Sequence, residues 1–507
     1  MPAESIPERS LPSRPSLRHL KLEAKRRRRS GEFASLHEAQ RAVARDYGFA
    51  SWPRLLAFVD TRRMNTRDRA AVLVRAACSD DVRAATTLLH SEPDLARYDL
   101  VAACVTGEPD VVIAHVERSR DAVDARLGPN EWPPLVYCCE SRLLRGDPTR
   151  AGRIVECARV LLAAGANPNV VIEGDPERDE PRITPLAGAV AVANNAELTA
   201  LLLDAGADPN EMHPEPHPTD PAAGGPWGSE ALYHAAEFAD TECLQLLLAA
   251  KPYPVSVSYC LHRALDFSDP QRALLYLEHG ADPNFGVPWA GGRNALHKAS
   301  MLGRDVGLVR VILDRGAVVD TLDADGHSAL AYATRANAAE IVDALLAAGA
   351  DPSTVSDDDR AVAAGEKADP ALLVHAARQG DTARVTRLLA AAGDPNAPAG
   401  SDAMPPLHAA AFTGQPATAQ ILLAAGADPL VRNGYGSDAL GSAIYGSRIC
   451  FDPEGGPRMG PIDEIPQAGY VAVVELLLDA GAPPPASTAG SEAVADVLRR
   501  RGVPDPD

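Results

Sequence analysis

The chain has 507 residues, 46% of them hydrophobic but only 5% aromatic, so its core must be built from Ala, Leu and Val, which favours thin, closely packed helices. The net charge of −20 divides unevenly: residues 1–63 hold 14 Lys/Arg against 7 Asp/Glu, and the remainder 35 against 62. The main body is therefore a poor match for nucleic acid or anionic membranes and would attract basic partners, while the N-terminal arm has the opposite preference.

No run approaches 18 uninterrupted apolar residues and no secretory signal is present, so a cytoplasmic protein is expected. The eight cysteines form no C-x-x-C pair, and most fall in apolar helical runs, as buried free thiols do. Residues 1–15 read as a disordered N-terminus, and residues 16–63 as a basic helical extension. In the extension, SLRHLKLEAKRRRR and SLHEAQRAVARDYGFASWPRLLAFV predict two or three short helices, with Ser35 and Glu38 placed as a capping box. The run Lys25–Arg29 is either a nucleic-acid footprint or a solvated helix face, and no base-reading helix rich in Asn, Gln and Arg accompanies it.

From residue 68 onward the chain repeats itself. LLAAGANPN begins at Leu161, LLDAGADPN at Leu202, YLEHGADPN at Tyr276, LLAAGADPS at Leu345 and LLAAGADPL at Leu422, with weaker copies at Leu247, Ile312, Leu388 and Leu477. Upstream of these exits stand TPLAGAVA from Thr184, NALHKASM from Asn294, SALAYATR from Ser328 and PPLHAAAF from Pro405. Each unit reads as a turn, an Ala-rich helix, a tight loop, a Leu-rich second helix, and a Gly-terminated exit that Pro keeps from resuming.

These motifs resemble the ankyrin repeat, whose consensus couples T-P-L-H-x-A-A to a Leu-rich helix and a G-A-D hairpin. The resemblance spans 68–503 and implies an all-α ankyrin-repeat solenoid, stacked helix-turn-helix units joined by hairpin loops, with about ten to twelve repeats, some degenerate. The units starting near Ala71 and Asp99, and residues 437–485, depart from the motif. Insertions at 169–183, 211–229 and 447–470 read as surface loops, and 355–370 as an irregularity that begins an extra helix at Asp357 or marks a bend. The 16–63 segment resembles the helical N-terminal extension of many bacterial ankyrin-repeat proteins.

Patterns that suggest chemistry dissolve on inspection. GYGSDA at Gly434–Ala439 lacks the strand that a dinucleotide fingerprint needs, and DADGHS from Asp323 lacks the ligands of a calcium loop. Both are hairpin turns of the repeat. His213 and His217 sit in a Pro-rich loop with no third ligand nearby. No catalytic, cofactor or metal residue is assigned. His262, His297 and His408 occupy the H of the T-P-L-H element, and the resemblance implies that they hydrogen-bond within and between repeat turns.

Trp132, Trp227 and Trp289 each precede a first helix, in the loops that form the fingers of an ankyrin stack. Each either anchors a partner or lids the seam between hairpins. With Asp325, His327, Arg432 and Tyr435 they are the candidate partner contacts. The expected function is a non-catalytic protein–protein interaction module or scaffold, binding through the concave face made of fingers and first helices. It has no small-molecule substrate and no membrane role. The alternative is a nucleic-acid-associated regulator anchored by residues 16–63.

Overall fold

In the computed structural model the described residues run from 16 to 504, apart from 34–35, 48–51, 53–54, 57–58, 60–63, 80–81, 175–181, 212–228, 365–368, 452–456, 459–466 and positions 146, 239, 268, 392, 401 and 449. They fall into two units, Met1–Leu201 and Leu202–Asp507. Among the described residues no helix is long and apolar enough to cross a membrane.

In the first unit, α1 (Leu17–Arg29) packs on α2 (Leu36–Asp46). Leu20, Ala24, Ala39, Val43 and Ala44 join Trp52, Leu55 and Val59 in a small core of their own. The Ser35 cap expected for α2 lies outside the described residues. Helical hairpins follow: α3 (Thr66–Ala77) with α4 (Val82–Ser91), α5 (Leu100–Thr106) with α6 (Pro109–Arg118), and α7 (Pro134–Cys139) with α8 (Pro148–Ala163). The segments near Ala71 and Asp99 thus form helix pairs although they depart from the repeat motif. Asp99 caps α5 through the Ala102 N–H, and Gly107 stops it at φ +80°. α9 (Pro185–Ala187) widens into a π turn over Gly188–Val192 before α10 (Ala196–Asp204). A Cβ at Gly188 would stand 2.6 Å from Glu140 Oε1 and 3.1 Å from the Cys139 carbonyl, so only glycine fits this close approach.

The second unit is a two-layered stack. Its first helices are α11 (Glu230–Ala235), α13 (Pro254–Ala264), α15 (Ala295–Leu302) and α17 (Ala329–Arg335), each packed on the next. The second helices are α12 (Glu242–Ala249), α14 (Pro270–Glu278), α16 (Val306–Asp314) and α18 (Ala339–Ala347), of which α14, α16 and α18 stack in turn. A helix does begin at Asp357: α19 (Asp357–Ala364) packs on α17. The pattern then resumes with the pairs α20 (Pro370–Gln379) and α21 (Thr382–Ala390), α22 (Pro406–Phe412) and α23 (Pro416–Ala424), and α24 (Ala439–Gly446) and α25 (Gln467–Asp479). The closing helix α26 (Glu492–Arg500) lies on α25. One apolar cluster runs from Val362 through Leu407, Leu422, Leu440 and Val474 to Val503.

Two insertions differ from the loops expected. Ile172 and Ile183 pair N–H to C=O in both directions at 2.9 Å, so 169–183 leaves its repeat through a β-bridge. In 447–470, β1 (Cys450–Phe451) and β2 (Pro457–Arg458) form an antiparallel ladder of two residues each. Paired residues flanking a Gly-Gly or a charged tip satisfy each other's backbone groups, which composition alone does not reveal. The 211–229 insertion, with His213, His217 and Trp227, lies almost wholly outside the described residues.

Repeats are joined where each second helix ends. Gly206, Gly280, Gly316, Gly349 and Gly426 all take φ between 88° and 92°, the left-handed stop that only glycine adopts cheaply. Lys251 holds the same place at φ +60°. In the following Asp-Pro-Asn turns the Asp accepts the Asn backbone N–H, at 2.9 Å for Asp208–Asn210 and Asp282–Asn284, and 2.8 Å for Asp394–Asn396. The Asn side chain then reaches the next repeat. Asn210 Oδ1 accepts from Tyr253 N, Asn284 Oδ1 from Val318 N, and Asn396 Oδ1 from Asp428 N. Asn284 and Asn396 also donate through Nδ2 to the carbonyls of Gly316 and Gly426.

Replacing Asn284 with Ala removes both inter-repeat bonds and should cost about 1–2 kcal/mol in urea-induced unfolding. Asn284→Asp keeps the acceptor alone and should cost less; equal losses in the two variants would show that the retained acceptor contributes nothing.

Candidate partner-binding surface

The fingers before α17 and α24 share one construction. Asp323 Oδ1 accepts the N–H groups of Asp325 and His327, and Asp323 N donates to His327 O. Asn433 Oδ1 does the same for Tyr435 and Ser437, and Asn433 N donates to Ser437 O. Gly326 and Gly436 supply the positive φ that each turn requires. Neighbouring fingers join edge to edge through Ala324 N to Gly291 O at 2.8 Å and Gly434 N to Asp402 O at 2.7 Å.

This geometry presents some predicted contacts outward and turns others in. Tyr435 is 80% exposed at its finger tip, and Arg432 donates to the Gly436 carbonyl beside it. Asp325 is exposed and meets Arg293 at 3.2 Å. His327 is half-buried, with Tyr332 5.3 Å from its ring. Trp132 ends a hairpin by accepting from Leu127 N, and its ring lies 5.2 Å from Tyr137 of α7. The backbone of Trp289 forms the 3-10 turn Pro288–Ala290. Trp227 lies outside the described residues.

Asp323, Asp325 and His327 place three ligand-type atoms within 4.8 Å of one another, closer than the calcium-loop comparison suggests. Asp323 is already committed, however. Its second oxygen takes the Tyr332 hydroxyl at 2.6 Å and Arg293 Nε at 3.2 Å, so a metal would have to displace four donors from a buried carboxylate.

Of the three repeat histidines, His297 makes both bonds expected within and between turns, His408 only the bond between turns, and His262 neither. His297 accepts the Asn294 N–H at Nδ1, and its Nε2 lies 2.9 Å from Thr321 O, which fixes the proton on Nε2. Burial lowers its pKa. His408 Nε2 meets Ser437 O at 3.0 Å, but its Nδ1 is buried without a partner because Pro405, at the cap, has no N–H to give. His262 sits instead in the last turn of α13, where its Nδ1 lies 3.2 Å from Lys298 Nζ. His297 stands in the first turn of α15, whereas His262 faces a side chain rather than a turn.

A line of charge on the first helices escapes motif reading. On α11, α13 and α15, residues that the repeat fills with small side chains are charged and linked. Glu237 takes His234 Nδ1 at 3.0 Å and Arg263 Nη2 at 2.7 Å; Arg263 reaches Asp266 at 2.9 Å; Lys298 Nζ reaches Asp266 at 2.7 Å and donates to His262 O at 2.8 Å. Burial pushes the Asp266 carboxyl up, but the Lys298 and Arg263 cations outweigh it and hold its pKa below the carboxylate range. Tyr233 and Tyr259 stack at 5.7 Å beside this line, with Arg263 over the Tyr233 ring. The signal available in sequence was a difference between copies: His234, Lys298 and Arg335 stand in first helices that each hold two or three Ala, and Arg263 stands beside the Ala of α13.

At the end of the line Arg335 fixes the extra helix. Its Nη1 donates to Asp359 Oδ1 at 2.8 Å, and its Nε and Nη2 to Asp369 Oδ2 at 2.8 and 2.6 Å. Asp359, buried, also accepts from Ser356 Oγ at 2.6 Å. Burial alone would raise its pKa; the Ser356 hydroxyl and the Arg335 guanidinium reverse that and lower it.

The basic N-terminal run is not uniformly free. Arg27 turns inward to Asp46 at 2.6 Å and Glu23 at 3.5 Å, while Lys25, Arg26, Arg28 and Arg29 are exposed.

Stacked helical hairpins with finger loops define a helical-repeat protein. Residues 261–356 match the family model for ankyrin repeats in three copies, and residues 404–434 match that for a single ankyrin repeat. The chain carries ankyrin repeats. It is 27% identical over 266 residues to the E3 ubiquitin-protein ligase KEG of Arabidopsis thaliana, covering 51% of this chain and 15% of that protein. It is 31% identical over 155 residues to the transient receptor potential channel pyrexia of Drosophila melanogaster, covering 30% of this chain and 14% of that one. The chain thus matches only a small fraction of the length of either relative.

Truncating Arg335 to Ala leaves Asp359 and Asp369 buried without their cation, and should lower stability by about 3 kcal/mol. Amide exchange should concentrate the loss in α19; uniform loosening of the stack would contradict the clamp. His234 tests the other end. Burial lowers its pKa, but Glu230 and Glu237 more than reverse this and raise it to about 9. Its folded pKa thus lies above its unfolded value, so its stabilisation is complete below about pH 6.5 and lost as pH rises through about 9. Against His234→Gln, the native chain should lead by about 2–3 kcal/mol at pH 6 and by nothing at pH 10.

Proposed function

We propose that the chain is a non-catalytic protein-interaction scaffold that binds a protein partner through the fingers and first helices of its ankyrin stack. The observation that carries this reading is the division of labour within one repeated unit. Backbone groups and repeat residues are consumed by stacking, while the side chains that differ between copies gather on fingers and first helices. Tyr435, Tyr445 and Leu430 are 80%, 59% and 53% exposed, and the Tyr445 ring lies stacked 6.1 Å from Phe412 of the preceding first helix. Exposed aromatics held by a rigid frame are the usual anchors of a protein interface. Arg432, beside Tyr435 on the same finger, adds a charged group to this surface.

The net charge of −20 favours a basic partner and association rates that fall with salt.

The test is affinity capture with the full chain followed by cross-link mapping. Cross-links should fall on fingers and first helices, and the double variant Tyr435→Ala, Tyr445→Ala should weaken the captured complex at least tenfold with the melting temperature unchanged. Cross-links confined to the second helices would overturn the assignment.

A further inference from the structure

Arg263, Arg293 and Arg335 each hold two carboxylates: Glu237 and Asp266, Asp323 and Asp325, Asp359 and Asp369. Arg378 and Arg384, on the helices that follow the inserted α19, do not. Arg378 ends α20 with its Nε buried and without a hydrogen-bond partner, and it makes no ion pair among the described residues. Arg384, in α21, has one side-chain hydrogen bond, from Nη2 to Ala336 O at 3.5 Å, the limit of such a contact. The carboxylates nearest in sequence are otherwise engaged. Asp381 caps α21 through the Arg384 N–H, and Asp369 accepts from Arg335 and from the Ala371 N–H.

His375 stands one turn before Arg378 on the same face of α20. Its Nε2 is also buried without a partner. Burial, and then the positive field of Arg304, Arg384 and Arg378, push its pKa down to about 3, with Asp266 opposing weakly. Arg304 is anchored by donating Nε to Leu265 O and Nη2 to Asp266 O, both at 2.8 Å. Burial and Arg387 lower the pKa of Arg384 as well, against Asp381 and Asp369. Among the described residues of a chain of net charge −20, partly desolvated cations thus repel each other here, and two buried nitrogens, Arg378 Nε and His375 Nε2, have no hydrogen-bond partner.

We propose that Arg378, Arg384 and His375, with Arg304 behind them, form a binding site for a phosphoryl-type oxyanion. A tetrahedral dianion supplies the missing counter-charge and enough acceptor oxygens for the two guanidinium forks and the imidazole Nε2. A desolvated cation without a partner is costly, so the bound anion stabilises the fold as well as occupying it. Among the described residues, no carboxylate makes an ion pair with Arg378 or Arg384. This site goes beyond the protein-binding surface and does not depend on it. The oxyanion comes either free or on a phosphorylated side chain, and the probes separate the two.

Calorimetric titration of the full chain with inorganic phosphate, at constant ionic strength maintained with NaCl, should give saturable binding of one anion per chain and a rise in melting temperature. Free O-phosphoserine, titrated likewise, should bind more tightly if the natural ligand is a phosphorylated side chain, and more weakly if it is the free anion. Arg378→Ala and Arg384→Ala should each weaken phosphate binding at least tenfold, while Arg310→Ala, an exposed arginine on α16, should leave it unchanged. Phosphate should also shield Arg378 of the native chain from phenylglyoxal, read by mass spectrometry, a measurement that needs no variant to fold. Unsaturable heats, equal binding by Arg378→Ala and native chain, or no protection of Arg378 would overturn the proposal.

Discussion

The stack depends on a side chain that substitutes for a missing piece of backbone. Where a second helix ends, the chain has no strand or helix to offer its neighbour, and the loop N–H groups of the next repeat would have only water. The Asp-Pro-Asn turn solves this in two steps. The Asp holds the Asn by its backbone N–H, and the Asn carbonyl then takes the N–H of Tyr253, Val318 or Asp428 in the following unit. Asp124 and Asp320 serve the same acceptor role for Asn167 and Asp351. An amide does more than a carboxylate here, because Nδ2 also satisfies a helix-terminal carbonyl, as Asn284 does for Gly316. Spacing between repeats is thereby set by the length of one side chain.

That constraint explains what was legible in the sequence. A residue whose partner is supplied by the repeat itself recurs with the repeat, so Gly206, Asp208 and Asn210 announce themselves by their copies. The fold class follows from that recurrence, and so does the link from His297 and His408 to the next turn. Legibility fails where the partner lies in a different repeat and is unique. His262 matches the motif in letters but stands in the last turn of α13, whereas His297 stands in the first turn of α15. The bridges at Ile172–Ile183 and Cys450–Phe451 depend on pairing across an insertion, for which no local periodicity exists.

The candidate surface was half legible for the same reason. Finger tips are read from turn chemistry, since Asp323 and Asn433 build the same hairpin. The charge line from His234 to Lys298 is invisible to any short window on the chain, because its links between helices span 26 to 36 residues. What could reveal it is subtraction. Once the repeat accounts for an Ala-rich first helix, an Arg, Lys or Glu left over on a buried face demands a partner, and each successive first helix supplies one.

The segment 355–370 shows what such ionic substitution does to a repeat stack. Apolar seams between ordinary units tolerate small sliding, since burial is non-directional. At Arg335 the seam is replaced by a guanidinium that must meet Asp359 and Asp369 together, and a bidentate geometry does not slide. The apolar cluster that starts at Val362 is therefore registered against the preceding helices by charge as well as by contact. The same segment precedes Arg378 and Arg384, which make no ion pair with a described carboxylate, so among the described residues the charge that registers the seam on one side of α19 is not matched on the other.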